Sequence, residues 1–267
     1  MSSTPAPAGV LLRGVGRTFA DRVVLADVDI EIAPGEVVAF LGASGSGKST
    51  LLRLIAGLDR PTAGDITIDG RPVGGIDPRC AVVFQEPRLL PWRTLAANVA
   101  FGLPQGTSHG QGDTDVQHWI DVVGLTGFEH HRPRQISGGM AQRAGLARAL
   151  ARRPGVLLLD EPLGALDALT RLRMQDLLDE VQQRAGTTTL LVTHDVDEAL
   201  ILADRVLILR AGPDGAASIA AAHRVDIPKP RDRADPSLAA LRTTLLDELG
   251  LPRRGGTESD ERKELSV

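Results

Sequence analysis

Apolar positions follow two rhythms along this chain. Val28, Ile30 and Ile32 alternate with Asp29 and Glu31, the period of a strand with one face in water. Residues 10–32 read as strands of this kind around a turn at Ala20, Asp21 and Arg22. Residues 37–41 and 156–159 are instead apolar throughout, which suits strands buried on both faces. Further strands are predicted at 65–69, 80–84, 188–193 and 205–210, the last completing the sheet. Helix-forming composition fills 51–56, 94–101, 115–123, 141–150, 168–184 and 237–249. Within 168–184, Leu172, Leu177, Leu178 and Val181 make a stripe that reads as core packing. Residues 104–113, rich in Gly, Ser and Thr, read as a mobile loop. Strands alternating with helices predict an α/β fold.

The same pattern divides the chain. Residues 1–8, rich in Ser, Pro and Ala, read as a disordered tail, and 9–212 as the main domain, with a helical part at about 86–154. After Gly212 periodicity weakens and Pro228, Pro230 and Pro236 appear, so 213–252 read as an extension with one helix. Residues 253–267 read as a charged, disordered tail.

Composition then removes several classes of function. The net charge of −4 gives no global positive field for nucleic acid. Cys80 is the single cysteine, which excludes an internal disulfide and a cysteine zinc cluster; it reads as a small core residue. His109, His118, His130 and His131 match no zinc spacing and read as solvated surface. The first residues lack the basic and apolar regions of a secretory signal. The apolar segment at 200–202 is bounded by Asp197, Glu198 and Asp204, far short of the ~18 uncharged residues of a membrane span. Work at a membrane would therefore go through a partner.

Candidate chemistry gathers at the ends of the buried strands. Gly42, Ala43, Ser44, Gly45, Ser46, Gly47, Lys48, Ser49 and Thr50 follow the strand at 37–41 and precede a helix, the context of a phosphate-binding loop. Glycines let backbone N–H groups curl around phosphate oxygens, and the helix N-terminus adds partial positive charge. Lys48 would reach the β- and γ-phosphates, and Ser49 would ligate Mg²⁺. Gln85 ends the strand at 80–84, and Asp160 and Glu161 end the strand at 156–159. Two carboxylates at the end of an apolar strand need a compensating cation or donors; Asp160 could hold Mg²⁺ through its water shell and Glu161 could orient an attacking water. His194 ends a third strand, and all these strand ends would converge on one crevice. Ser137, Gly138 and Gly139 open another helix, either as a second anion site or as a simple N-cap. Phe19 is the one aromatic of the opening strands, either core or a stacking surface for a base.

Assembled in this order and spacing, residues 10–212 resemble the ATP-binding subunits of ABC transporters. Gly42 to Thr50 match the Walker A motif, Gln85 the Q-loop, residues 136–140 the signature, 157–161 the Walker B motif with its glutamate, 165–167 the D-loop and His194 the switch histidine. Phe19 sits where the family stacks an aromatic on adenine. The signature departs from Leu-Ser-Gly-Gly-Gln at Ile136 and Met140, with its Ser-Gly-Gly core intact.

The resemblance implies a P-loop NTPase core of RecA-like type, with an antiparallel β subdomain and a helical signature subdomain. It implies ATP and Mg²⁺ as ligands, with Ser49, Gln85 and Asp160 around the metal. It also implies a head-to-tail pair of copies, each ATP lying between Lys48 and Ser49 of one and Ser137 and Gly139 of the other. Glu161 and His194 would then hydrolyse the nucleotide. Membrane permease subunits would dock near 88–99, where Trp92 is either a contact or part of the helical core. A periplasmic or extracellular solute-binding protein would act indirectly, and the chain would sit peripherally on the cytoplasmic face of the membrane. Residues 84–92 and 163–171 are most similar to the nitrate, sulfonate and taurine importer branch, nearest to import of aliphatic sulfonates.

Rival readings fare worse on the same residues. A regulatory GTPase needs an Asn/Thr-Lys-x-Asp base reader, yet Asn98 is the only asparagine and no lysine lies between Lys48 and Lys229. A small-molecule kinase would leave Ser137, Gly138, Gly139 and Glu161 without purpose. A non-transport ABC ATPase acting on nucleic acid or ribosomes would usually carry paired cassettes, a long coiled coil or zinc cysteines.

Overall fold

A computed structural model of the protein describes residues 6–213 and 215–250. Its strands are β1 (Val10–Phe19), β2 (Arg22–Ile32), β3 (Val37–Leu41), β4 (Ala63–Ile68), β5 (Arg71–Pro72), β6 (Cys80–Val83), β7 (Val156–Asp160), β8 (Thr188–Val192), β9 (Arg205–Ala211) and β10 (Ala217–Arg224). They form one sheet in the order β5-β4-β1-β2-β10-β9-β3-β8-β7-β6. The helices are α1 (Lys48–Ile55), α2 (Leu95–Ala100), α3 (His109–Val122), α4 (Gly138–Ala151), α5 (Ala168–Ala185), α6 (Val196–Leu202) and α7 (Pro236–Glu248).

The sheet changes character along its width. β9, β3, β8, β7 and β6 pair in parallel, whereas β1 runs antiparallel to β2 and β4. Helices cover one face of the parallel part, and β1, β2 and β4 with α1 cover the other. β3 shows why its sequence is apolar throughout. Val37, Ala39 and Leu41 enter the first core while Val38 and Phe40 enter the second, because successive side chains point to opposite faces. In β2 the alternation is that of a half-wet strand, with Val28, Ile30 and Ile32 buried and Asp29 and Glu31 exposed.

Several expectations are corrected. α3 begins at His109, inside the stretch read as a mobile loop. Its two early glycines disfavour helix, but Gly112 is buried where a Cβ would meet Leu103 at 3.3 Å, and Val116 and Ile120 continue that face. On α5 the buried face is Met174, Gln175, Leu178 and Val181, with Leu172 exposed rather than in the core. Ala8, assigned to the tail, is buried; its N–H donates to Gly155 O and its carbonyl accepts from Thr188. The sheet does not end at 210, because β10 inserts between β2 and β9. Its sequence is alanine-rich and its register breaks between Ile219 and Ala221, so no clean alternation marks it. His131 is half-buried against Phe128, with Nδ1 unpartnered, rather than solvated. Among the described residues no group of side chains could hold a metal by itself in the manner of a zinc site. The expectations for 1–5 and 251–267 lie outside the described residues. Cys80 is buried, as expected, with its thiol pushed up to about 12 by that burial.

Beyond β10, Arg231 ties the extension to the end of α6. Its guanidinium is buried and donates to Leu200 O, Ile201 O and Ala203 O at the end of α6, and to Val225 O and Ile227 O. The last carbonyls of a helix have no partner within it, so this side chain supplies one. Arg231→Met should lower stability by about 2–4 kcal/mol by orphaning buried carbonyls. A shift in urea midpoint at unchanged slope would measure it, and an unaltered midpoint would refute the assignment.

Candidate active site

The loop between β3 and α1 is shaped by its own glycines. A Cβ on Gly42 would stand 2.3 Å from Leu209 O, and Gly47 has φ of 86° with Leu25 2.8 Å from the same virtual atom. Neither position admits a side chain without moving its neighbours. Lys48 is 4% exposed, and its Nζ donates to Gly42 O and Ala43 O at 2.8 Å. Burial lowers the Lys48 pKa, against the pull of Glu161 and Asp160, which raise it. Those carboxylates are therefore electrostatic neighbours of the loop.

Adjacent strand ends bring in the other groups. Ser49 Oγ donates to Asp160 Oδ1 at 2.7 Å, joining the start of α1 to the end of β7. Glu161 follows with φ of 45°, a left-handed conformation that a non-glycine residue holds only at a cost of about 1–3 kcal/mol. Its N–H donates to Val192 O at 2.9 Å, which fixes it against β8. Glu161 Oε2 lies 3.4 Å from His194 Nδ1. Gln85, exposed beyond β6, flanks the same spot: a Cβ on Gly164 would stand 3.2 Å from Gln85 Nε2 and 3.6 Å from Glu161 Oε2. The strand ends thus converge as the sequence predicts.

Two groups lie apart from this cluster. Ser137 caps α4, its Oγ accepting from Met140 N at 3.3 Å, and Gly139 packs toward Thr170 and Leu166. No hydrogen bond joins residues 137–139 to the loop at 42–50 among the described residues. A Cβ on Gly138 would meet nothing within 4 Å, so this turn faces open space. Phe19 is exposed, with the Arg17 guanidinium 4.1 Å from its ring centroid. Its cross-strand partner Arg22 lines the cleft over residues 42–46.

Whether the residues suit a polyphosphate and its metal can be read from unsatisfied atoms. Ser46 Oγ is buried in the loop with no partner, an orphan donor that a phosphate oxygen would satisfy. Ser49 and Asp160 present hard oxygen donors side by side, as Mg²⁺ requires. Sequence reading missed Arg171, Thr193 and Glu198, which surround His194. The signal was Asp195 followed three residues later by Glu198, the spacing of a helix-capping box, but Glu198 turns away to bind Thr193.

A family model described as ABC transporter matches residues 25–164. The chain belongs to the ABC transporter family. Cassettes of this kind bind and hydrolyse ATP, and this chain is such an ATPase. It is 48% identical over 244 residues to the aliphatic sulfonates import ATP-binding protein SsuB 1 of Xanthomonas axonopodis pv. citri (strain 306), covering 91% of this chain and 95% of that relative. A protein of the same description from Streptomyces avermitilis is 47% identical over 251 residues, covering 94% and 90%. Among solved structures, the cassette MJ0796, dimeric and bound to ADP and Pi, superposes with a TM-score of 0.71 at 32% identity, covering 82% of this chain and all of that one. The cassette cbiO1 of Clostridium perfringens, at 23% identity and a TM-score of 0.74, shows the same fold.

Proposed function

We propose that this cassette energises import of aliphatic sulfonates by hydrolysing ATP between two copies of itself. The observation that carries the hydrolytic part is the meeting of Lys48, Ser49, Asp160, Glu161 and His194 at neighbouring strand ends, with Ser49 on Asp160 and His194 beside Glu161. Lys48 and the loop amides hold the phosphates. Ser49, Asp160 and Gln85 would hold Mg²⁺, partly through water, and the ion would supply charge neutralisation at the phosphate oxygens. Glu161 orients the water and accepts its proton, while His194 keeps that carboxylate aimed. Phe19 stacks on adenine. Residues Ser137, Gly138 and Gly139 serve the nucleotide of the other copy, consistent with the open space before Gly138, with the lack of a hydrogen bond from this turn to the loop at 42–50 among the described residues, and with the dimeric state of MJ0796.

Membrane partners complete the reading. Among the described residues no helix is long and apolar enough to cross a membrane. Trp92 is 68% exposed, so the reading of it as helical core does not hold. Buried Asn98 shapes the turn that carries it, accepting from Leu90 N and donating to Leu90 O and Thr94 O. Ile76 (75%) and Phe101 (62%) are exposed large apolar residues too, and Phe101 and Ile76 line one cleft with Arg148 and Arg152. Such residues suit a permease contact on the cytoplasmic face. A solute-binding protein outside the membrane would deliver the solute.

The choice of sulfonate rests on the relatives' descriptions, since the solute never meets this subunit. A deletion strain should fail to grow on alkanesulfonates as sole sulfur source and recover with the gene restored. Normal growth there, with loss on taurine or nitrate, would reassign the solute.

A further inference from the structure

We propose that Arg171, on the first turn of α5, is a positioning residue that holds the Glu161 and His194 loops in register. The inference rests on the hydrolytic reading of those two residues. One guanidinium reaches both loops. Its Nη2 donates to Leu166 O at 3.3 Å, in the segment that leaves Glu161, and its Nη1 to Asp195 Oδ2 at 3.4 Å, next to His194. The Leu166 segment is itself closed on Glu161, because Gly164 N donates to Glu161 O and Leu166 N to Leu163 O.

A second set of bonds grips the histidine from its other side. Glu198 is 2% exposed, and its Oε2 accepts from Thr193 Oγ1 at 2.7 Å. The same hydroxyl accepts from Asp195 N at 3.0 Å, so the residues on both sides of His194 are tied to one buried carboxylate. Burial raises the Glu198 pKa, and the Thr193 hydrogen bond, then Arg171, work against that rise. Arg171 Nε points toward this carboxylate but stops 3.9 Å from Glu198 Oε1, which leaves a buried N–H without a partner. Every contact of the guanidinium is long, and a shift of about 1 Å would close the last one. The side chain is thus shared between two acceptors, one on each loop, and faces a third carboxylate on α6 that it does not reach; in this reading its position sets the 3.4 Å approach of His194 to Glu161.

Steady-state ATP hydrolysis by the full chain tests this. Arg171→Ala should lower kcat about tenfold, the scale on which residues of one network couple, with KM for ATP unchanged. Arg171→Lys should recover little, since an ammonium lacks the planar fork that reaches Leu166 O and Asp195 Oδ2 together. In a His194→Ala background, Arg171→Ala should add no further loss. Parental kcat in soluble Arg171→Ala, or losses that multiply in the double variant, would overturn the proposal. Should Arg171→Ala not fold, Arg171→Met keeps the apolar stem without the guanidinium donors and is judged by the same two criteria. If His194→Ala alone hydrolyses ATP at the parental rate, the hydrolytic reading falls and this inference with it. If His194→Ala is impaired while Arg171→Ala is not, only this inference falls.

Discussion

Glu161→Gln is expected to abolish most ATP turnover, by about 10²–10⁴-fold, while leaving nucleotide binding intact. The amide has the shape of the carboxylate and fits the same left-handed position after β7, so the loop keeps its bond to Val192 O. What disappears is a group able to accept a proton from water and to pair with His194, 3.4 Å away. Without hydrolysis the ATP-bound pair should accumulate. Phosphate release gives the first quantity, and size-exclusion chromatography with ATP the second. Turnover at the parental rate would show that Glu161 does not serve as the base, and a variant that stays monomeric with ATP would count against closure of two copies around the nucleotide.

Lys48→Ala is expected to weaken ATP binding by about 10–100-fold. The lysine brings a charge into a loop whose other donors are backbone N–H groups and hydroxyls, and charge-assisted hydrogen bonds contribute about 1.5–3 kcal/mol each. It also gathers Gly42 O and Ala43 O, so its removal leaves two carbonyls turned toward the phosphate path. Titration with a fluorescent ATP analogue would report the loss. Unchanged affinity would mean that the glycine turn and helix end suffice.

How far the sequence foretold this site depends on how local each signal was. The loop at 42–50 carries its geometry within nine residues, because Gly42 and Gly47 admit no side chain, and it was therefore legible. Asp160 and Glu161 were legible for a related reason, since carboxylates at the end of an apolar strand demand partners, and Ser49 bonds the first while His194 lies beside the second. β10 was not, because an alanine-rich segment with a register break has neither the period nor the residue types of a strand, and only its neighbours β2 and β9 select that conformation. The start of α3 was hidden by Gly110 and Gly112, and close packing rather than propensity explains Gly112. Arg171 carried no signal of its own, and the spacing of Asp195 and Glu198 pointed only to a helix cap. Arg171 and Glu198 are ordinary helix residues until Thr193, Asp195 and Leu166 are folded around them.

The position of β3 in the middle of the sheet bears on how the protein is made. β3 is an early strand, yet both neighbours, β8 and β9, lie beyond residue 187, and Leu209 O, against which Gly42 is packed, belongs to β9. During synthesis at roughly 5–20 residues per second, the strand carrying the phosphate loop waits on the order of ten seconds for its partners to be translated. Until then an apolar segment made to be covered on both faces has no sheet to enter. Premature association of nascent chains, rather than loss of the finished fold, is where this topology is most exposed.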